Sequence, residues 1–170
     1  MTNAYISATK YIQQFTDLLA NTEVTDKNGN SISLDKGVEN SVKLVTDVKL
    51  RQAKAMVIGN GGSASIASHV QNDLSKALEV KSLAFIDPPF LTALANDHGY
   101  GCVYERPISM WAENNDLLVS ISSSGGSENI LRATKTASEK GCQVITFSGF
   151  KKDNLNPWHL FCRFKKLTTF

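Results

Sequence analysis

No stretch of this 170-residue chain is long and apolar enough to cross a bilayer, which takes about 20 consecutive apolar residues. Met1 to Ala20 is a polar, amphipathic stretch without the apolar core of a signal peptide, so the expectation is a cytoplasmic protein that meets no membrane. Cysteine is scarce: Cys102, Cys142 and Cys162 stand far apart with no CxxC and no metal-ligand spacing, which predicts buried or free thiols and no thiolate zinc site. The body also lacks basic charge. Of the formal net charge of +2, residues 151–170 carry a net +4, so residues 1–150 stand at −2, without the basic footprint of a nucleic-acid binder. Internal repeats, low-complexity tracts and interdomain linkers are absent as well, and the length suits one domain.

What is present is an alternation of strands and helices. Residues 4–20 place Tyr5, Ile6, Tyr11, Ile12, Phe15, Leu18 and Leu19 at helical spacing, a broad apolar face of the kind that finds a partner subunit. Asn21 to Ser33 is polar and reads as a loop, and a second helix is predicted from Leu34 or Asp35 to Leu50. From Ala55 the predicted strands are 55–59, 82–86, 116–121 and 143–147, with helices at 63–77, near 90–95, at 103–111 and at 128–140. The expected fold is α/β: a parallel sheet of four or five strands between helices, preceded by N-terminal helices, with ligands at the carboxyl ends of the strands. The division is a helical segment 1–54, an α/β core 55–150 and a basic, aromatic tail 151–170.

Two strand-to-helix junctions carry the chemistry. Gly59-Asn60-Gly61-Gly62-Ser63 ends the first core strand and starts a helix, and Ser122-Ser123-Ser124-Gly125-Gly126-Ser127 does the same after the third. Glycines let backbone N–H groups approach an anion, a helix N-terminus adds the positive end of its dipole, and serines add hydroxyl donors. One such turn often serves only to join elements, with Ser127 a plain helix cap; two in one domain point to a ligand. Neither loop has the lysine of a P-loop, and the first has no third glycine to complete GxGxxG. Neutral, hydroxyl-rich loops suit a single phosphate monoester, and a sugar phosphate fits.

These two loops, with Ala95-Asn96-Asp97-His98-Gly99-Tyr100 between them, resemble in order and spacing the sugar isomerase (SIS) domain family, and within it the phosphoheptose isomerase branch. The resemblance covers about residues 3–150. It implies a three-layer sandwich, a homotetramer with active sites near subunit boundaries, and an aldose–ketose isomerase converting sedoheptulose 7-phosphate to D-glycero-D-manno-heptose 7-phosphate, a heptose precursor for lipopolysaccharide or capsule. Carried over by position, substrate binding falls to Asn60, Gly61, Gly62, Ser63, Asn96, Asp97, Ser122, Ser123, Ser124 and Ser127. The branch binds zinc through a His and a Glu four residues apart, which here are His69 and Asp73; the same pair is the candidate proton-transfer site. An i, i+4 pair shares one side of a helix, and Ile66, Val70 and Ala77 are expected to form the apolar stripe beside it.

The chain departs from the family pattern in two places. Asp73 is one methylene shorter than the family's Glu. After Phe150 the family continues with a strand and a long helix carrying a Gln and a His, whereas here Trp158, Leu160, Cys162 and Phe164 alternate toward a fifth strand and leave no room for that helix. The change in composition at Lys151 predicts a frameshift or truncation relative to a longer ancestor. Two other readings stay open: a non-catalytic SIS module that binds a sugar phosphate or a protein partner, and an isomerase for another sugar phosphate such as arabinose 5-phosphate.

Overall fold

Apolar strands that must satisfy their backbone next to one another, and helices with one apolar stripe each, build a three-layer α/β sandwich. The computed structural model describes residues 7–150 and 160–165. Helices α1 (Ala8–Ala20) and α2 (Leu34–Leu50) flank a short hairpin, β1 (Glu23–Thr25) and β2 (Ser31–Ile32). There follow β3 (Lys54–Gly59), α3 (Gly62–Lys76), β4 (Lys81–Ala84), α4 (Pro88–His98), a 3-10 turn (Tyr100–Cys102), α5 (Glu105–Trp111), β5 (Leu117–Ser122), α6 (Glu128–Glu139), β6 (Gln143–Phe150) and β7 (Leu160–Lys165). The sheet order is β2-β1-β7-β6-β5-β3-β4. Strands β4, β3, β5, β6 and β7 are mutually parallel, and β1 joins β7 antiparallel. The expected parallel sheet is therefore present, with the fifth strand at 160–165; Trp158 and His159 lie outside the described residues.

Side chains that alternate along the central strands feed two cores. Met56, Ile58, Leu118 and Val144 pack with Ile108 of α5 and Ile130, Ala133 and Ala137 of α6. On the other face Ala55, Val57, Leu117, Val119 and Ile145 meet Val48 of α2 and Ala67 and Leu74 of α3. Each fully buried aliphatic side chain of this kind contributes about 1.5–3 kcal/mol. At the amino end of the sheet the buried carboxylate of Asp116 accepts the Lys54 N–H at 2.9 Å and the Glu113 N–H at 2.8 Å and pairs with Lys54 Nζ at 2.8 Å. Burial there also pushes the Cys142 thiol up to about 11. This end is a structural clamp, and the loops lie at the opposite edge.

Residues 21–33 are a hairpin, not a loop. Asp26 Oδ1 accepts the N–H groups of Asn28 and Asn30, each at 2.9 Å, which closes the turn, and Val24, 1% exposed, is pinned under α2 where a Cβ on Gly37 would stand 2.7 Å from its Cγ1. Helix α1 buries no residue, and Ile12, Phe15 and Leu19 stay exposed. Cys102 is half-buried and Cys142 buried, both as free thiols, as expected; Cys162 falls where side chains are not described. Among the described residues no helix is long and apolar enough to cross a membrane.

Candidate sugar-phosphate site

Strand β3 ends where a glycine is required. A Cβ on Gly59 would lie 2.6 Å from the Ser63 carbonyl oxygen and 2.8 Å from Ser63 Cβ, so the chain doubles back onto itself there. Gly61 then takes φ +53 and caps α3 with no side-chain hydrogen bond. The turn closes through Ser63 N–H on Asn60 O at 2.9 Å. Nothing lies within 4 Å of the places where Cβ atoms would stand on Gly61, Gly62 and Gly126, so both loops open onto free space.

The second loop gathers its hydroxyls. Ser122 Oγ stands 3.5 Å from Ser124 Oγ and 3.4 Å from Ser127 Oγ, and Ser124 and Ser127 are 3.4 Å apart, a triangle above the N-terminus of α6. Gly125 N–H donates to Ser122 Oγ at 3.2 Å and Gly126 N–H to Ser124 Oγ at 3.2 Å, and Gly125 takes φ +67 to make the bend. Ser127 occupies the N-cap of α6 but makes no capping hydrogen bond with its side chain. Its hydroxyl is turned to the triangle, which removes the reading of Ser127 as a plain cap. Ser123 is exposed, and its carbonyl accepts Gly149 N–H at 3.0 Å, tying the loop to β6.

A residue that sequence reasoning missed joins the two loops. Asn129 is 3% exposed, and its amide pairs reciprocally with that of Asn60: Asn60 Nδ2 donates to Asn129 Oδ1 at 2.9 Å and Asn129 Nδ2 donates to Asn60 Oδ1 at 2.8 Å. Tyr100 Oη donates to the same Asn60 Oδ1 at 3.1 Å, and Asn129 Oδ1 also accepts the Ile130 N–H at 3.0 Å. Both amide oxygens are thus filled, and Asn60 keeps one N–H to offer a ligand oxygen. The only signal in the sequence was an Asn at the start of a helix, where it reads as capping. Beneath the loop, buried Tyr104 donates its hydroxyl to Gly59 O, and burial pushes its phenol up to about 12, so it remains a donor across physiological pH. Asn129→Ala is expected to cost about 1–3 kcal/mol, because it takes the partner from Asn60 Nδ2 and leaves Asn60 Oδ1 only the Tyr100 hydroxyl, and urea denaturation measures that loss.

Helix α4 starts at the Asp87 cap, whose carboxylate accepts Phe90 N–H at 3.1 Å, and stops at Gly99 with φ +79. Asn96 and Asp97 lie exposed in its last turn, bonded to each other at 2.9 Å, and the chain beyond them delivers Tyr100 to Asn60.

His69 and Asp73 form the expected i, i+4 pair, with Nε2 to Oδ2 at 3.4 Å and side chains 77% and 59% exposed. The apolar stripe of α3 differs from the expected one: Ala67, Val70 and Leu74 pack on the sheet, while Ile66 is 54% exposed and Ala77 is also exposed. Spacing of three and four from Ala67 fits the sheet surface, which turns Ile66 and the pair outward together. At 1.5 Å rise per residue the pair sits roughly 10 to 16 Å along α3 from the glycine turn. Among the described residues no group of three or more His, Cys, Asp or Glu could hold a metal. Two donors fall short of the three protein ligands and open position of catalytic zinc, so the described residues alone do not fit that ion.

The SIS domain family profile matches residues 10–149. Phosphoheptose isomerase of Helicobacter pylori (strain Shi470) is 35% identical over 147 residues, which is 83% of this chain and 76% of that protein. The solved structure of phosphoheptose isomerase GmhA from Neisseria gonorrhoeae aligns with a TM-score of 0.72 at 27% identity, covering 79% of this chain and 76% of the other. A phosphoheptose isomerase structure from Francisella tularensis shares the fold, with a TM-score of 0.76 at 22% identity over 96% of this chain and 88% of that one. With the SIS profile spanning the core, the glycine turn and the serine loop, and with relatives of this identity, the chain belongs to the SIS domain family, in its phosphoheptose isomerase branch.

Proposed function

We propose that the protein binds sedoheptulose 7-phosphate and interconverts it with D-glycero-D-manno-heptose 7-phosphate. The observation that carries this reading is the triangle of Ser122, Ser124 and Ser127 hydroxyls at a helix N-terminus, locked to the glycine turn through Asn129 and Asn60. A phosphate monoester presents three oxygens to such donors, and the dipole of α6 favours its charge. Asn60, Asn96 and Asp97, with the open backbone of Gly61, Gly62 and Ser63, then face the sugar, and Ser123 lines the rim of the cradle.

Ketose-to-aldose conversion removes a proton from C1, passes through an enediol and returns a proton to C2, while a hydroxyl proton moves from the C1 oxygen to the C2 oxygen. In this reading the Asp73 carboxylate carries the carbon-bound proton and His69 serves the oxygens. The resemblance puts active sites near subunit boundaries, so in this reading a second copy supplies the pair, and the exposed faces of α1 and α3 are what a homotetramer would cover. Zinc, implied by the resemblance, would find only His69 and Asp73 as donors among the described residues. A heptose precursor points to a cytoplasmic role in lipopolysaccharide or capsule assembly.

Removing one cradle hydroxyl with Ser124→Ala is expected to weaken sugar-phosphate binding about 10- to 100-fold, the worth of a hydrogen bond to a charged group. Calorimetric titration measures it, and unchanged affinity would reject the cradle. The two-donor pair, set away from the loops, favours a second reading in which the protein binds the sugar phosphate without turning it over. Both readings require Ser124, and only the first requires Asp73.

A further inference from the structure

Strand β6 carries two hydroxyls without a partner among the described residues. Thr146 and Ser148 are 6% and 5% exposed, and Thr146 Oγ1 and Ser148 Oγ have no hydrogen-bond partner among the described residues. They pair in register with Ser120 and Ser122 of β5. Ser120 faces α6, where its hydroxyl meets Thr134 Oγ1 at 3.1 Å, so by the two-residue period of the strands Ser122, Thr146 and Ser148 share that face. A buried hydroxyl left unpaired is costly, and one placed beside a cluster of ligand-seeking hydroxyls has an evident use.

Neighbouring strands run about 4.7–4.9 Å apart, which puts Ser148 Oγ one side-chain rotation from Ser122 Oγ. A serine oxygen accepts two hydrogen bonds and donates one. Ser122 Oγ already accepts the Gly125 N–H at 3.2 Å, and in the free protein it donates to Ser127 Oγ at 3.4 Å and stands 3.5 Å from Ser124 Oγ, the cradle hydroxyl placed to donate to it. When an anion draws the Ser124 proton to itself, the second acceptor site on Ser122 falls vacant, and the Ser122 proton turns from Ser127 to the anion. We propose that Ser148 is a positioning residue of the anion cradle: on anion binding its hydroxyl turns to donate to Ser122 Oγ, which leaves the Ser122 proton committed to the anion. The inference rests on the cradle reading above. Thr146 sits one register pair lower, beside Ser120, whose hydroxyl is engaged with Thr134, which itself donates to Ile130 O at 2.7 Å; it has no cradle hydroxyl to serve.

The test titrates the full chain with inorganic phosphate and with sedoheptulose 7-phosphate and follows melting of the ligand-free protein in parallel. Ser148→Ala is expected to raise both dissociation constants about three- to tenfold, the worth of one neutral hydrogen bond, without lowering the melting midpoint, because the hydroxyl it removes is unpaired in the free protein. Ser148→Thr, which keeps the hydroxyl, and Thr146→Val, which removes the uninvolved one, are both expected to bind within about twofold of the parent. Wild-type affinity in Ser148→Ala, a drop in its melting midpoint, or an equal loss in Thr146→Val each overturns the assignment. If Ser124→Ala loses binding while Ser148→Ala retains it, this inference fails and the cradle stands; if the parent chain binds neither anion, both fail.

Discussion

Asp73→Asn is expected to lower the rate of heptose phosphate isomerisation about 10²–10⁴-fold, the range a positioned general base contributes, while leaving KM within about threefold. Asparagine keeps the shape of the side chain and cannot take a proton. Stability should hardly move, because the contact with His69 spans 3.4 Å between side chains 77% and 59% exposed, and even a charged pair so exposed contributes only about 0–1 kcal/mol. The same substitution reports on assembly. Asp73→Asn and Ser124→Ala chains, each strongly impaired alone at a substrate concentration well below the weakened Kd of Ser124→Ala, are expected to recover about a quarter of parental activity when co-refolded in equal amounts, since random assortment places an intact cradle against an intact pair at one site in four. Stopped-time product analysis on the mixture reads this directly. No recovery would place the pair and the cradle of one chain in the same site.

Gly59→Ala has the largest expected effect on folding. Its Cβ would be driven to 2.6 Å from a backbone oxygen and 2.7 Å from a backbone carbon of Ser63, atoms that belong to the first turn of α3 and have nowhere to go. Small-to-large changes in well-packed sites cost about 1–3 kcal/mol and more where backbone must shift, so a loss of about 3 kcal/mol is expected, with the melting midpoint falling by roughly 10 °C for a chain of this size. Moving Ser63 also moves Asn60, whose carbonyl accepts the Ser63 N–H at 2.9 Å, so ligand-induced stabilisation should shrink along with the midpoint. By contrast Gly62→Ala meets nothing within 4 Å and should fold like the parent.

The sheet was legible because its strands are apolar runs bounded by turn residues, as in Met56-Val57-Ile58-Gly59, and its helices carry stripes at three and four. The hairpin at 23–32 was hidden because strands of three and two residues cannot show a period, and only Val24 among them is deeply buried. The serine loop announced itself by composition. Asn129 did not, since its partner Asn60 lies 69 positions away and no local pattern encodes a reciprocal amide pair. The outward turn of His69 and Asp73 was equally unreadable: helical spacing puts them on one side of α3, but whether that side meets the sheet or solvent depends on Ala67, Val70 and Leu74 fitting the sheet better than Ile66 and Ala77 do. The orphan hydroxyls of Thr146 and Ser148 exist only in three dimensions, as products of strand register.

Isomerase activity is tested most directly by incubating the protein with sedoheptulose 7-phosphate and following the sugar by proton NMR. The anomeric signals of D-glycero-D-manno-heptose 7-phosphate are expected to grow with time, with solvent deuterium incorporated at C2 when the reaction runs in heavy water, as an enediol route requires. A ligand that binds and protects the fold while its spectrum stays unchanged would contradict the isomerase reading and leave a sugar-phosphate binding module.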